Sequence, residues 1–221
     1  MKNLVLIGGG NQAHYTIDII EKEAKYNIIG IIDSVHNIGE DRFGYKIIGR
    51  QENLIELISE HNIEAGIISI GDNWSRYYVY NKIIEQIPNF EFVNAIHPSV
   101  IIGNNVKLGT GIVAMAGCIF NPKSEIGNFT FFATGAQVEH DNNICDFSSI
   151  SAGSITGGFV KLGKFSAITL GVIVLDRIEI GENTVVGSGS LVIKSLPDNV
   201  LAYGNPSKII RNRQPGEKFL K

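Results

Sequence analysis

Several common signatures are missing from this chain, and each absence removes a class of function. There are only two cysteines, Cys118 and Cys145. That is too few for a disulfide framework and wrongly spaced for zinc, so both read as small apolar residues in a reducing compartment. Neither sign of charge dominates: 19 basic against 22 acidic residues leave a formal net charge of -3. No basic field is therefore available for nucleic acid or for an anionic membrane. Long apolar runs are lacking too. The first one, residues 4–7, stops at three glycines, too short for a secretory core and far too short to cross a bilayer. These absences predict a cytoplasmic protein with no nucleic-acid, membrane or metal partner. What is present, 44% hydrophobic residues in 221, is ample for a packed core.

The first 95 residues alternate strand and helix signals. An apolar run at 4–7 ends in Gly8, Gly9 and Gly10, a helical pattern passes through Ile17, Ile19 and Ile20, and a second apolar run at 28–32 ends at Asp33. That is a βαβ unit. Runs at 45–48 and 66–70, with helices expected around 53–60 and 74–86, continue the alternation and predict a small parallel sheet flanked by helices. Glycines opening a helix suit a phosphate at its N-terminus. The third glycine of a dinucleotide fingerprint is missing and the region is too short for two mononucleotide halves. The expectation is half a Rossmann unit holding one nucleotide, with Asp33 contacting base or ribose.

After Pro98 the period becomes six. From Ile102 to Val192 an apolar or weakly apolar residue recurs at sixteen successive hexads without a slip, Ala114 and Thr156 being the weakest. Glycine follows it at positions 103, 109, 127, 157, 163, 181 and 187, and mainly small or β-branched residues stand four places after it. Neither helix nor simple strand alternation holds such a phase. Three hexads close a triangular coil of 18 residues with the aliphatic residue inside, so residues 18 apart become vertical neighbours. The predicted architecture is an α/β half-Rossmann domain (residues 1–95) followed by a left-handed parallel β-helix with a C-terminal tail (residues 96–221).

Of the five histidines, His140 alone lies within the repeats. Two places after inward Val138, it belongs on a turn that a small molecule can reach. Imidazole changes charge near neutral pH and can accept a proton from an attacking amine or hydroxyl. Asp141 beside it is placed to orient the ring or steady the imidazolium. One coil above stands Gly158, off the usual glycine phase, where the backbone can approach a substrate and its N–H can hold a developing oxyanion. His97, before Pro98, reads as shaping the start of the β-helix, and His14, His36 and His61 as surface or loop residues.

With the glycine-rich first turn, Asp33, the segments IHPSV (96–100) and TGAQVEHD (134–141), and GNPSK (204–208), the sequence resembles the hexapeptide-repeat acyltransferases along essentially its whole length. More narrowly it resembles the sialic-acid O-acetyltransferase-like and bacillosamine-type nucleotide-sugar N-acetyltransferases of bacterial glycan biosynthesis. The resemblance implies a homotrimer with acetyl-CoA bound between subunits and no metal. It makes His140 the base, with Asp141 and Gly158 beside it. Gly158, Gly171, Gly187, Ser188, Asn205, Pro206 and Lys208 would meet CoA. Gly8, Gly9, Gly10, Asn11, Gln12, Asp33 and Ser34 would meet the nucleotide sugar. Two positions depart from the family pattern: Ala133 where asparagine is frequent, and Gln12 where histidine is frequent.

The function implied is acetyl-CoA-dependent N-acetylation of a nucleotide-linked amino-deoxysugar, such as a 4-amino-4,6-dideoxy sugar. O-acetylation of a sugar needs the same base and the same thioester groove and stays open. A γ-type carbonic anhydrase would need three histidine ligands where only His97 and His140 lie near the repeats. A nucleotide-binding scaffold would keep the hexads without needing His140.

Overall fold

In the computed structural model, which describes residues 1–219, the chain forms the two expected parts. The N-terminal part runs β1 (Lys2–Ile7), α1 (Asn11–Glu23), β2 (Tyr26–Ile32), β3 (Asp41–Arg42), β4 (Tyr45–Gly49), α2 (Leu54–His61), β5 (Ala65–Ile68) and α3 (Asn73–Gln86). Its sheet has the order β3-β4-β2-β1-β5, parallel except for the β3–β4 hairpin. The chain moves outward from β1 through β2 and β4, then returns to place β5 on the other side of β1. The crevice at the carboxyl ends of β1 and β5 is thus a topological switch point, where ligands of such sheets bind.

From β6 (Ala95–Ile96) the chain winds into a prism. Sixteen two-residue strands, β7 (Ile101–Ile102) to β22 (Leu191–Val192), follow at six-residue steps, and each ends on the apolar residue of its hexad. Strands β7 to β19 each pair in parallel with the strand 18 residues on, building the three sheets of a left-handed parallel β-helix. Inward residues such as Phe120, Phe132, Val138, Ile150 and Ile168 are fully buried in one continuous core. Cys118 occupies a small inward position, and burial pushes its thiol up to about 11, so it serves as packing. An antiparallel hairpin, β23 (Val200–Gly204) and β24 (Ser207–Asn212), closes the last coil.

The corners explain the positions that the six-residue rhythm leaves free. Every corner needs a residue in the left-handed region, where a side chain costs about 1–2 kcal/mol relative to glycine. One corner column uses glycine throughout, at Gly117, Gly135, Gly153, Gly171 and Gly189. A second uses Phe129, Phe147 and Phe165, and a third Lys123, Asp141, Phe159 and Arg177.

The outward residues make the three faces different. One presents Lys107, Glu125, Lys161 and Glu179, paired along the helix axis as Lys107–Glu125 and Lys161–Glu179, each at 2.6 Å. A second is buried: Ala95 and Val113 pack in one cluster with Ala13, Ile17 and Ile20 of α1. The remaining face carries Ile101, Ile119, Gln137, Ile155, Ile173 and Leu191, with Ile101 60% and Ile173 47% exposed.

Helix α3 locks the two parts together. The indole of Trp74 stacks on Phe165 at 4.0 Å between centroids and donates to Asn183 Oδ1 at 2.9 Å. Beneath it Arg76 is 2% exposed. Its guanidinium donates to the carbonyls of Ile70 and Gly71 on one side, to that of Phe129 on the other, and to Asn73 Oδ1. Burial pulls its pKa down to about 10, with Asp72 opposing, so it stays protonated near neutrality. Replacing it with methionine strips donors from several buried carbonyls. Arg76→Met is expected to destabilise the protein by about 3 kcal/mol or more, read as a lower midpoint of denaturant unfolding.

Candidate functional site

His140 stands next to Asp141 at the corner column of Lys123 and Asp141, two residues after inward Val138. Its side chain is 50% exposed and its Nδ1 sits 2.8 Å from Asp141 Oδ2. An ionised carboxylate only accepts, so Nδ1 is the donor in this contact. The imidazole and the Phe159 ring stand perpendicular with centroids 5.2 Å apart, and the Arg177 guanidinium lies over the Phe159 ring, 4.4 Å from its centroid. Gly158 is what makes room: a Cβ there would stand 2.8 Å from both Cε1 and Nε2 of His140. Gly157 is glycine for packing, because its Cβ would collide with Asp176 Oδ1.

One expectation needs correction here. The Gly158 N–H already donates to Asp176 Oδ1 at 2.7 Å, a bond of the kind that Thr110 N makes to Asn128 Oδ1 and Asn128 N to Asp146 Oδ1 on another corner, so it is not a free oxyanion donor. Such a role requires Asp176 to turn away first.

Asn142 was missed at this corner. It is 1% exposed, and its Nδ2 bridges the carbonyls of Glu139, His140 and Gly157 at 2.7, 3.2 and 2.8 Å. It fixes the turn that carries His140. The sequence held a signal: asparagine stands at a position where the other coils mostly place valine, serine, threonine or alanine.

The residues expected to meet CoA sit elsewhere on the prism. Gly171 belongs to the all-glycine corner. Gly187 lies under Tyr203, Ser188 Oγ is 3.2 Å from Thr169 Oγ1, and Asn205 and Pro206 form the cis-linked turn of the closing hairpin above them. Lys208 is exposed on β24 opposite Tyr203. Nothing lies within 4 Å of where a Cβ would stand at Gly135, Gly153, Gly171 or Gly189, so this corner is an edge bare of side chains. The apolar face separates it from His140. Within one chain the two sets occupy neighbouring edges of the prism and do not meet.

The second site is a cleft of about 510 Å³ at the switch point, lined by Gly8, Gly10, Asn11, Gln12, Asp33 and Ser34 together with Ser69, Gly71 and Ser75. Gly8, at φ +108° with a Cβ position 2.7 Å from Ile70 Cγ1, tolerates no side chain. Helix α1 has no side-chain cap and no acidic residue in its first turn, so its N-terminal amides and dipole are left for an anion. Gln12 Nε2 is buried without a partner.

Asp33 is largely committed to the protein. Its Oδ2 accepts from Gly9 N at 2.6 Å, and its Oδ1 from Val35 N, His36 N and His36 Nδ1. Burial alone would raise its pKa, but these bonds, led by Gly9, hold it below the usual carboxylate range. This revises its expected role. Asp33 first shapes the glycine loop, leaving at most one lone pair on Oδ2 for a base or ribose.

Among the described residues, no group of three or more His, Cys, Asp or Glu side chains could hold a metal ion, and no helix is long and apolar enough to cross a membrane.

The family model of the PglD N-terminal domain matches residues 3–83. A structure of a mutant of perosamine N-acetyltransferase from Caulobacter crescentus, in complex with CoA and GDP-perosamine, is similar with a TM-score of 0.89 and 31% identity over 96% of this chain and 98% of that one. The acetyltransferase domain of PglB from Neisseria gonorrhoeae FA1090, in complex with acetyl coenzyme A, has a TM-score of 0.86, covers 95% of this chain and 99% of that one, and at 23% identity shows a shared fold alone. The galactoside O-acetyltransferase of Lactococcus lactis is 33% identical over 49% of this chain and 54% of that protein. The chain spans about half the length of the curated relatives it matches.

Gly158→Ala is expected to push the His140 ring off Asp141 while the coil stays intact. A crystal structure of the variant in which the Nδ1–Oδ2 contact survives would contradict that reading of Gly158.

Proposed function

The chain belongs to the hexapeptide-repeat nucleotide-sugar acetyltransferase family, and on that premise we propose that it transfers an acetyl group from acetyl-CoA to the amino group of a nucleotide-linked amino-deoxysugar. A 4-amino-4,6-dideoxy sugar in bacterial glycan biosynthesis is the acceptor that fits, with the enzyme cytoplasmic and homotrimeric. The observation that carries the proposal is the coexistence of two sites in one fold: an anion-ready cleft at the sheet's switch point, and a carboxylate-oriented imidazole on the β-helix. The similar C. crescentus enzyme is described with CoA and GDP-perosamine bound.

The chemistry assigned to the chain's own residues is direct transfer. Nε2 of His140 accepts a proton from the amine as its nitrogen attacks the thioester carbonyl, and returns it to the departing thiolate of CoA. Asp141 keeps the tautomer that leaves Nε2 free and steadies the imidazolium once it forms. Phe159 holds the ring edge-on, and Asn142 fixes the turn below it. The bare glycine edge, with Gly171, Gly187, Ser188 and the Asn205–Pro206 turn, suits close approach of the narrow pantetheine arm, and Lys208 at its end suits the phosphates of CoA. Gly8, Gly9, Gly10, Asn11, Gln12, Asp33 and Ser34 form the nucleotide-sugar end of the site.

The character of the three faces supports the homotrimer. One is docked to the N-terminal part and one is charged, which leaves the face of Ile101, Ile119, Ile155, Ile173 and Leu191 for another copy. Packing that face against a neighbour would bring one chain's glycine edge toward the next chain's His140 and so complete a site that a single chain leaves divided.

His140→Ala is expected to lower turnover by roughly 10²-fold or more while CoA binding persists. Release of free thiol, measured with UDP-, dTDP- and GDP-linked 4-amino sugars, checks this. Acetylation of a hydroxyl acceptor alone would move the assignment to O-acetyl transfer, the activity named for the L. lactis relative. Ile155→Lys combined with Ile173→Lys is expected to yield monomers without activity. Sedimentation showing an active monomer overturns the shared-site reading.

A further inference from the structure

Among the described residues, the nucleotide cleft has one cationic side chain on its lining, and it comes from the opposite end of the sequence: Lys218. The chain reaches the cleft along a fixed route. After β24, Arg213 is 5% exposed, with its N–H on the carbonyl of Asn199 and its Nε on that of Asn183. Asn183 in turn donates to the carbonyl of Gln214 and accepts from the Trp74 indole of α3. Glu217 then ties the turn shut. It meets Arg211 Nη2 at 2.6 Å and Arg213 Nη1 at 3.4 Å, and its Oε2 accepts from Gln214 N at 3.1 Å. The Arg211 guanidinium holds the Glu217 carboxyl down to about 2, so the clamp stays charged at any ordinary pH. Gly216, at φ +81°, passes so close to Tyr78 of α3 that a Cβ would stand 3.1 Å from its hydroxyl. Lys218 follows immediately, at the rim of the cleft.

A nucleoside diphosphate brings more negative charge than one helix terminus, worth about half a unit charge, can offset. Asp33 adds negative charge to the same cleft and accepts rather than donates. The α1 amides and the buried, unpartnered Gln12 Nε2 supply neutral donors. The missing component is a cation, and the strap supplies one. We infer that Lys218 is the diphosphate-binding cation of this cleft and that segment 211–218 is the strap that delivers it, an inference that rests on the nucleotide-sugar reading of the site.

Calorimetric titration of the full-length protein with UDP, GDP and dTDP, and with the matching nucleosides, tests this. Lys218→Ala is expected to weaken the preferred nucleoside diphosphate by about tenfold or more, the worth of one charge-assisted hydrogen bond. Nucleoside affinity should hold, with CoA affinity as the control for folding. Lys218→Arg should recover most of the loss, and Glu217→Gln should lose affinity in the same direction by loosening the strap. Diphosphate binding unchanged in Lys218→Ala, or nucleoside and diphosphate weakened equally, overturns the strap while leaving the nucleotide cleft standing. A wild-type protein that binds none of the three diphosphates overturns the nucleotide reading itself, and the strap with it.

Discussion

Every other feature hangs on the vertical hydrogen bonding between coils. Backbone donors of one coil find carbonyls on the coil 18 residues away, as in Gln137 N to Ser154 O and Ile155 N to Val172 O. A two-residue strand is negligible alone, and only stacking satisfies its polar groups. This constraint turns spacing in sequence into position in space. His140, Gly158 and Asp176 form one column because they are 18 apart, and a substitution in one coil is felt by the ring in the next.

The same constraint accounts for the division of labour among corners and faces. Left-handed corner residues recur in every coil, so each column can be specialised without disturbing the strands. Glycine leaves an edge bare of side chains, phenylalanine provides a platform for α3, and the His140 column carries the imidazole. Burying Arg76 under that platform joins the parts through hydrogen bonds on both sides of the boundary. The residues whose carbonyls it holds on the N-terminal side, Ile70 and Gly71, also line the cleft at the switch point, so the brace between the parts is a wall of that cleft.

Placement of the elements was legible in the residues themselves. The runs at 4–7 and 28–32 became β1 and β2, and all sixteen hexads became strands at the expected phase, because period and burial coincide wherever one side of the chain faces a core. The cleft residues around the first glycines and the pairing of His140 with Asp141 were legible for the same reason: each is a local arrangement, within a turn or between adjacent residues. Roles that depend on what a group already bonds were not legible. Gly158 was expected to offer a free N–H and Asp33 a free carboxylate, yet both are engaged by partners 18 and 24 residues distant. Asn142, Arg76 and Lys218 went unnoticed because their value lies in contacts between coils or between chain ends.

The sequence by itself determined the coil: which residues point inward, where each corner falls, and that an imidazole stands on one of them. These follow from a short-range periodicity that two or three successive hexads already display. Tertiary structure alone decided which face is covered, which is charged and which is left apolar, where α3 docks, and that the C-terminal strap returns to the first glycine loop. Those outcomes depend on side chains far apart along the chain competing for the same buried surface and the same hydrogen-bond acceptors. No local pattern records that competition.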